Sequence, residues 1–289
     1  MVKFAAMTFM FGDWCAAGGG RHEKMVEGLA RIGIEAIEPF HTGFVQEPAL
    51  IGRYQKALAD NGMSVSAVDV ICDLVYSSPA EKRQGRDALR RGLEICAELG
   101  APISHVAGHM PKESVALRDA RAMIVEQLLN EAAFAEQHGI TLAIENFGFA
   151  PTLQCKVEDC LEILKLGGGK VRFLFDAGNF EFVGERADAN LELLYEQTCY
   201  VHFKDVRPAS ARQAGDIDFG GRLVGCPLGE GVVRGAQVAA ILKARNYAGW
   251  VALECCSVLG DPMSTVARDL AVLKRWLGQP ASKRAVAHP

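Results

Sequence analysis

Four polar residues stand where buried strands should stay apolar. In TLAIENFG, residues 141–148, the apolar run Leu142, Ala143, Ile144 stops on Glu145. VRFLFDAGN carries Asp176, YVHFKD carries His202 and WVALECC carries Glu254 in the same setting. A carboxylate at the buried end of a strand costs free energy unless something pairs with it. Side chains alternate along a strand. One phase sets Glu145, Asp176, His202 and Glu254 on a common face. It sends Leu142, Ile144, Phe173, Phe175, Val201, Phe203, Val251 and Leu253 to the opposite face. If the four strands are neighbours, three carboxylates and an imidazole converge. Three close carboxylates repel, and some must take up protons unless a cation lies between them. We therefore expect these four to hold a divalent metal. Oxygen-rich ligation with one nitrogen suits Mn²⁺ first and admits Mg²⁺, Co²⁺ or Zn²⁺.

Positioning such a set needs parallel strands, and the chain supplies eight short apolar runs. They are Lys3–Met10, Ala36–Phe40, Ser64–Val70, Pro102–Gly108, Thr141–Asn146, Val171–Asp176, Cys199–Asp205 and Trp250–Cys255. Helical periodicity fills 22–33, 47–61, 80–99, 114–138, 157–166, 187–197, 235–245 and 262–277. In RDALRRGLEICAELG, Leu89, Leu93, Cys96 and Ala97 share one face, and Gly100 ends the helix. Strict alternation implies parallel strands with right-handed crossovers. Eight units predict an α/β fold that is a single (β/α)8 barrel over 1–277, with 278–289 as a frayed tail. Active sites of such barrels lie at the C-terminal strand ends. The stretch 206–234 reads as a long irregular loop that borders that end. AAGGGRH does not match a dinucleotide fingerprint, and LGGGKV precedes a strand, so both are turns.

The chain has 289 residues, 49% hydrophobic and 23% charged, with net charge -4. That balance speaks against a nucleic-acid partner, which needs a clustered basic excess. The basic cluster from Lys82 to Arg91 has acids between and reads as a solvated helix face. No apolar run reaches the ~20 residues of a membrane span. Nine cysteines without a Cys-x-x-Cys spacing read as buried small residues, which points to a reducing cytoplasm.

AIENFG, FDAGN, YVHFKDVRP, LGEG and ALE, in this order, resemble the xylose-isomerase-like TIM barrels over nearly the whole chain. That superfamily includes sugar phosphate isomerases and epimerases, 2-keto-myo-inositol isomerase, inosose dehydratase and metal-dependent AP endonucleases. The resemblance implies that Glu145, Asp176, His202 and Glu254 hold the metal and that the two glutamates form an acid/base pair. DAGN and HFKDVRP look most like the inosose dehydratase branch. Asn179 stands where the D-tagatose 3-epimerases have a histidine, and Arg207 is one residue from their substrate arginine, with Pro208 in its place. AP endonucleases bind three zinc ions with more histidines than the His41, His105 and His109 that could supplement His202 here.

The expectation is a metal-dependent isomerase or epimerase of a keto-sugar or keto-polyol, working through a metal-stabilised enediolate with Glu145 and Glu254 moving the proton. The alternatives are a lyase on a related keto-polyol or keto-glycoside and a non-catalytic sugar-binding subunit. The expected partner is a small carbohydrate, and a homo-oligomer is compatible with the sequence. Lys204 shares the His202 face and either holds a substrate hydroxyl or pairs with Glu145 or Asp176. Glu38, His41, His105, His109, Asn179 and Arg207 are candidate substrate contacts. Trp14 either stacks on a sugar ring or caps the barrel. Glu230 in LGEG reads as part of a turn.

Overall fold

The computed structural model describes residues 2–18, 20–148, 153–257 and 260–280. The lumen-facing set of the strands is small and polar, and the outward set is bulky and apolar, so the sheet closes with its helices outside. The strands are β1 Lys3–Met7, β2 Ala36–Glu38, β3 Ser64–Val65, β4 Val68–Ile71, β5 Ile103–Ala107, β6 Thr141–Glu145, β7 Val171–Asp176 and β8 Thr198–Phe203. Then follow β9 Asp205–Pro208, β10 Ile217–Asp218, β11 Leu223–Cys226 and β12 Trp250–Leu253. The large sheet runs β3-β2-β1-β12-β8-β7-β6-β5-β4, all parallel. A break at Ser66 and Ala67 splits the third strand position into β3 and β4. The barrel closes across it: the Ser66 amide donates to Ile37 O at 3.0 Å and the Asp69 amide to Pro39 O at 2.9 Å.

Ten helices lie among the described residues: α1 Gly12–Ala16, α2 Arg21–Ile32, α3 His41–Gln46, α4 Leu50–Asn61, α5 Pro79–Leu99, α6 Leu117–Gln137, α7 Val157–Leu166, α8 Ala187–Leu194, α9 Gly235–Ala244 and α10 Pro262–Trp276. α5 begins as its sequence directs: Ser78 caps the Glu81 amide and Pro79 takes the first position. Most predicted spans hold to within a few residues. β1 ends at Met7, and Phe9–Phe11 coil into a 3₁₀ turn instead of extending the strand to Met10. α3 was not predicted, because HTGFVQ is too short for a periodicity to show. The described part of the tail ends at Pro280, and 281–289 lie outside the described residues.

Two apolar layers follow from the strand phase. The outer core holds Leu142, Ile144, Phe173, Phe175, Val201, Phe203, Val251 and Leu253, as predicted. The lumen floor holds Ala5, Ala36, Ala67, Ile103, Ala143, Leu174, Tyr200 and Ala252. The alanines leave room for Tyr200, whose hydroxyl meets Ser66 Oγ at 2.7 Å. Everything polar in the lumen is thereby displaced toward the C-terminal strand ends.

The stretch 206–234 corrects the reading of an irregular loop. β10, β11 and β9 form a three-stranded antiparallel sheet. Its strands of two to four residues are too short for an alternation to be read. The sheet rests on the continuation of β12, where Asp216 bridges Ser257 and the Ile217 amide donates to Cys256 O at 3.2 Å. Phe219 meets Phe182, which follows β7, at 5.9 Å between ring centroids. The excursion therefore borders the C-terminal end of the barrel, as expected.

Asp205 ties this excursion down. Its carboxylate accepts from the amides of Val206 and Gly229 at 2.9 Å and of Gly231 and Val233 at 3.1 Å. LGEG is the turn wrapped around that carboxylate. A Cβ on Gly231 would lie 2.1 Å from Asp205 Oδ1 and 2.2 Å from Val206 O. Overpacking of this kind costs ~1–3 kcal/mol. At roughly 2–4 °C per kcal/mol for a domain of this size, Gly231→Ala should lower the Tm by several degrees in thermal circular dichroism. An unchanged Tm would show that the turn gives way freely.

Candidate metal centre

The four predicted residues meet. Glu145 ends β6, Asp176 ends β7, His202 lies in β8 and Glu254 follows β12. One donor atom from each lies within 4.8 Å of those of the other three. His202 Nδ1 faces the group, at 3.1 Å from Glu145 Oε1, 3.6 Å from Glu254 Oε2 and 3.9 Å from Asp176 Oδ2. Asp176 is fixed by backbone on both sides. Its amide donates to Asn146 Oδ1 at 2.8 Å, and its Oδ1 accepts from the amides of Gly178 and Asn179 at 2.7 and 2.6 Å. Asp176 Oδ2 is left buried with no hydrogen-bond partner.

Lys204 follows β8 and is buried. Its Nζ donates to both Glu254 oxygens at 2.9 and 3.0 Å and lies 3.4 Å from Asp176 Oδ2. Lys204 thus pairs with Asp176 and Glu254. Gly178 makes room for the stem, since a Cβ there would lie 2.5 Å from Lys204 Cγ.

A second cluster adjoins the first from β2, β4 and β5. Both oxygens of the fully buried Glu38 reach His202 Nε2, at 3.0 and 2.8 Å. His105 Nδ1 hydrogen-bonds Asp69 Oδ1 and lies 3.5 Å from Glu38 Oε1, while its Nε2 lies 3.6 Å from Glu145 Oε2. Asp69 Oδ2 and His105 Nε2 have no hydrogen-bond partner. Asp69 was missed in the sequence, although an acid inside AVDVI carries the same signal as Glu145 in LAIEN.

Electrostatics divide these groups. Burial pushes the Asp69 carboxyl up to about 8, and the Glu38 charge adds to it. Burial likewise holds Asp176 well above the usual range, reinforced by Glu254 and Glu145 against the opposing pull of Lys204. Burial acts on Glu38, Glu145 and Glu254 too, but their cationic neighbours outweigh it and hold all three below the usual carboxylate range: His202 for Glu38, His105 for Glu145 and Lys204 for Glu254. Burial also disfavours charge on His105, His202 and Lys204. There the carboxylates win, Asp69 beside His105, Glu38 beside His202 and Asp176 beside Lys204, and all three stay cationic. Without a metal, Asp69 and Asp176 are pushed up and Glu38, Glu145 and Glu254 held down, all five packed around His105, His202 and Lys204.

Other predicted residues divide by their surroundings. Asn179 is fully buried, and neither of its side-chain amide atoms has a hydrogen-bond partner. His109 Nδ1 accepts from the Leu74 amide at 3.3 Å; its Nε2 is unpartnered, and burial lowers the imidazole to about 4. Both leave polar atoms for a ligand. His41 is turned to structure, its Nδ1 accepting from the Ile71 amide at 3.2 Å. Arg207 is paired within the small sheet, with Asp216 at 3.3 Å and Glu230 at 3.2 Å. Trp14 packs edge-on to Phe11, with the Arg21 guanidinium over its ring.

A profile of the xylose isomerase-like TIM barrel matches residues 26–276. The chain belongs to that family. No curated protein sequence matches it. Among solved structures it is similar to L-ribulose 3-epimerase, with a TM-score of 0.79 and 20% identity over 96% of this chain and 95% of that one. It is also similar to 3-keto-D-glucoside 4-epimerase from E. coli, with a TM-score of 0.75 and 16% identity over 95% and 100%. A third is IOLI protein with a binding zinc atom, with a TM-score of 0.77 and 12% identity over 96% and 98%. At these identities the likeness establishes the shared fold.

The donor set fits a divalent cation, because three carboxylates and one imidazole converge and Asp176 Oδ2 among them accepts no hydrogen bond. Replacing Asp176 or His202 with alanine should lower bound metal, read by elemental analysis, with the far-UV spectrum unchanged. Full occupancy in both variants would remove them as ligands. His202 and Asp176 are both shifted up and must be deprotonated to act as ligands, so affinity should rise with pH in calorimetric titrations. A flat or falling profile would contradict the charge assignment.

Proposed function

We propose that this chain is a divalent-metal-dependent isomerase or epimerase of a keto-sugar or keto-polyol, with Glu145 and Glu254 as its acid/base pair. The observation that carries the reading is the convergence of Glu145, Asp176, His202 and Glu254 within 4.8 Å at the C-terminal strand ends. Mn²⁺ is the proposed ion, because oxygen donors dominate. When bound, the cation supplies positive charge to the substrate oxygens while a proton on carbon is exchanged.

The residues take distinct parts. Glu254 has 12% of its side chain exposed against 4% for Glu145, so it is the more accessible of the pair. Lys204 keeps Glu254 ionised and aimed, which suits a base that takes a proton from carbon. Glu145 lies 3.6 Å from His105 Nε2, which can stabilise its charge as the proton moves. Asn179 and His109 offer unpartnered polar atoms to substrate hydroxyls. We place the protein in a reducing cytoplasm, which the nine free cysteines support. Among the described residues no helix is long and apolar enough to cross a membrane.

Glutamine keeps the shape and one oxygen of glutamate but accepts no proton at neutral pH. Glu145→Gln and Glu254→Gln should each lose ~10²–10⁴-fold in turnover with a smaller change in KM, assayed against a panel of keto-sugars with Mn²⁺. In D₂O, at least one variant should still exchange a substrate proton without forming product, read by mass spectrometry of recovered substrate. Unchanged turnover in either variant would remove that glutamate from the chemistry. A dehydrated product from the wild type would replace the isomerase reading with the lyase.

A further inference from the structure

The Glu38, His105 and His202 cluster beside the metal centre could hold a second ion, since it too gathers donor atoms within 4.8 Å. Its hydrogen bonds speak otherwise. Both Glu38 oxygens converge on a single nitrogen, His202 Nε2, at 2.8 and 3.0 Å. His105 Nδ1 is already bonded to Asp69 Oδ1. A second ion would have to displace the Glu38–His202 pair and take His202 through the nitrogen that faces away from the other ligands.

We infer that Glu38 is a positioning residue for the metal centre. It holds the Nε2 proton of His202, and so makes Nδ1 the ligand atom. The inference rests on the metal reading of this site and on no particular substrate. A neutral imidazole carries one N–H and one lone pair, and the partner of one nitrogen sets which is which. Nδ1 points to Glu145, Glu254 and Asp176, and Nε2 points to Glu38. The ring is also gripped on its flanks. The His105 ring lies 5.4 Å away and the Tyr200 ring 5.5 Å away, both edge-on. Asp69 in turn holds His105, which lies 3.5 Å from Glu38 Oε1. Asp69, His105 and Glu38 thus form a brace that fixes the tautomer and rotation of His202. Carboxylate partners of ligating imidazoles raise ligand basicity, and removing one typically costs ~10–100-fold in metal affinity.

The test uses the full chain, Zn²⁺ as a diamagnetic probe, calorimetry and ¹⁵N spectra of the histidine rings. In the zinc-loaded wild type, His202 should show a protonated Nε2 and a metal-bound Nδ1, with one zinc per chain. Glu38→Ala should bind zinc ~10–100-fold more weakly and lose the sharp Nε2–H signal. Glu38→Gln keeps an acceptor oxygen, so it should recover the tautomer and most of the affinity. If Glu38→Ala does not fold, the wild-type spectrum and Glu38→Gln still decide the question. Metal on Nε2, unchanged affinity in Glu38→Ala, or a second zinc that this variant loses would overturn the inference. No zinc binding by the wild type would overturn the metal reading itself. Failure of the sugar chemistry would touch none of these readouts.

Discussion

The structure depends on putting charge where water cannot neutralise it. Five carboxyl groups, Glu38, Asp69, Glu145, Asp176 and Glu254, crowd the upper lumen, four of them essentially buried. Ionised together, they would repel at short range in a medium that screens poorly. The chain answers with His105, His202 and Lys204, and burial pushes Asp69 and Asp176 toward their protonated forms. That arrangement is a balanced but strained reserve of negative charge, and a divalent cation is the partner that would replace its protons. Asp176 Oδ2 is buried, accepts no hydrogen bond and has Lys204 Nζ 3.4 Å away.

The rest of the fold serves this constraint. An alanine-rich floor under Tyr200 seals the lower lumen, and the carboxylates and imidazoles gather above it at the C-terminal strand ends. The outward phenylalanines, leucines, valines and isoleucine of β6, β7, β8 and β12 hold these four strands against their helices. The small antiparallel sheet after Lys204 walls one side of the opening, and the Asp205 carboxylate secures it through four backbone amides.

The fold and the four central residues were legible because one signal repeats: an acid or imidazole in the lumen phase of an apolar strand. The same phase that buries Phe173 and Phe175 outside places Asp176 inside, and it survives in the structure without exception among those four strands. Glu38 and His105 were visible only as single polar residues near strand ends, because their partners lie on strands distant in sequence. Asp69 went unnoticed between Val68 and Val70, since a lone acid in a short run invites no pairing until the barrel closes. The direction of Lys204 toward Glu254 depends on the break after β8 and on the space left by Gly178. The neighbours of Arg207 and Trp14 were not legible either, because Asp216, Glu230 and Arg21 reach them only once the chain has folded.

The central claim is that one cation sits among Glu145, Asp176, Glu254 and His202 Nδ1. Anomalous scattering from crystals grown with Mn²⁺ addresses it directly. The account predicts a single anomalous peak bounded by those four side chains, with Lys204 moved off Asp176 and Glu38 still on Nε2. A peak between Glu38 and His105 instead, or no peak at the four-residue cluster, would contradict it.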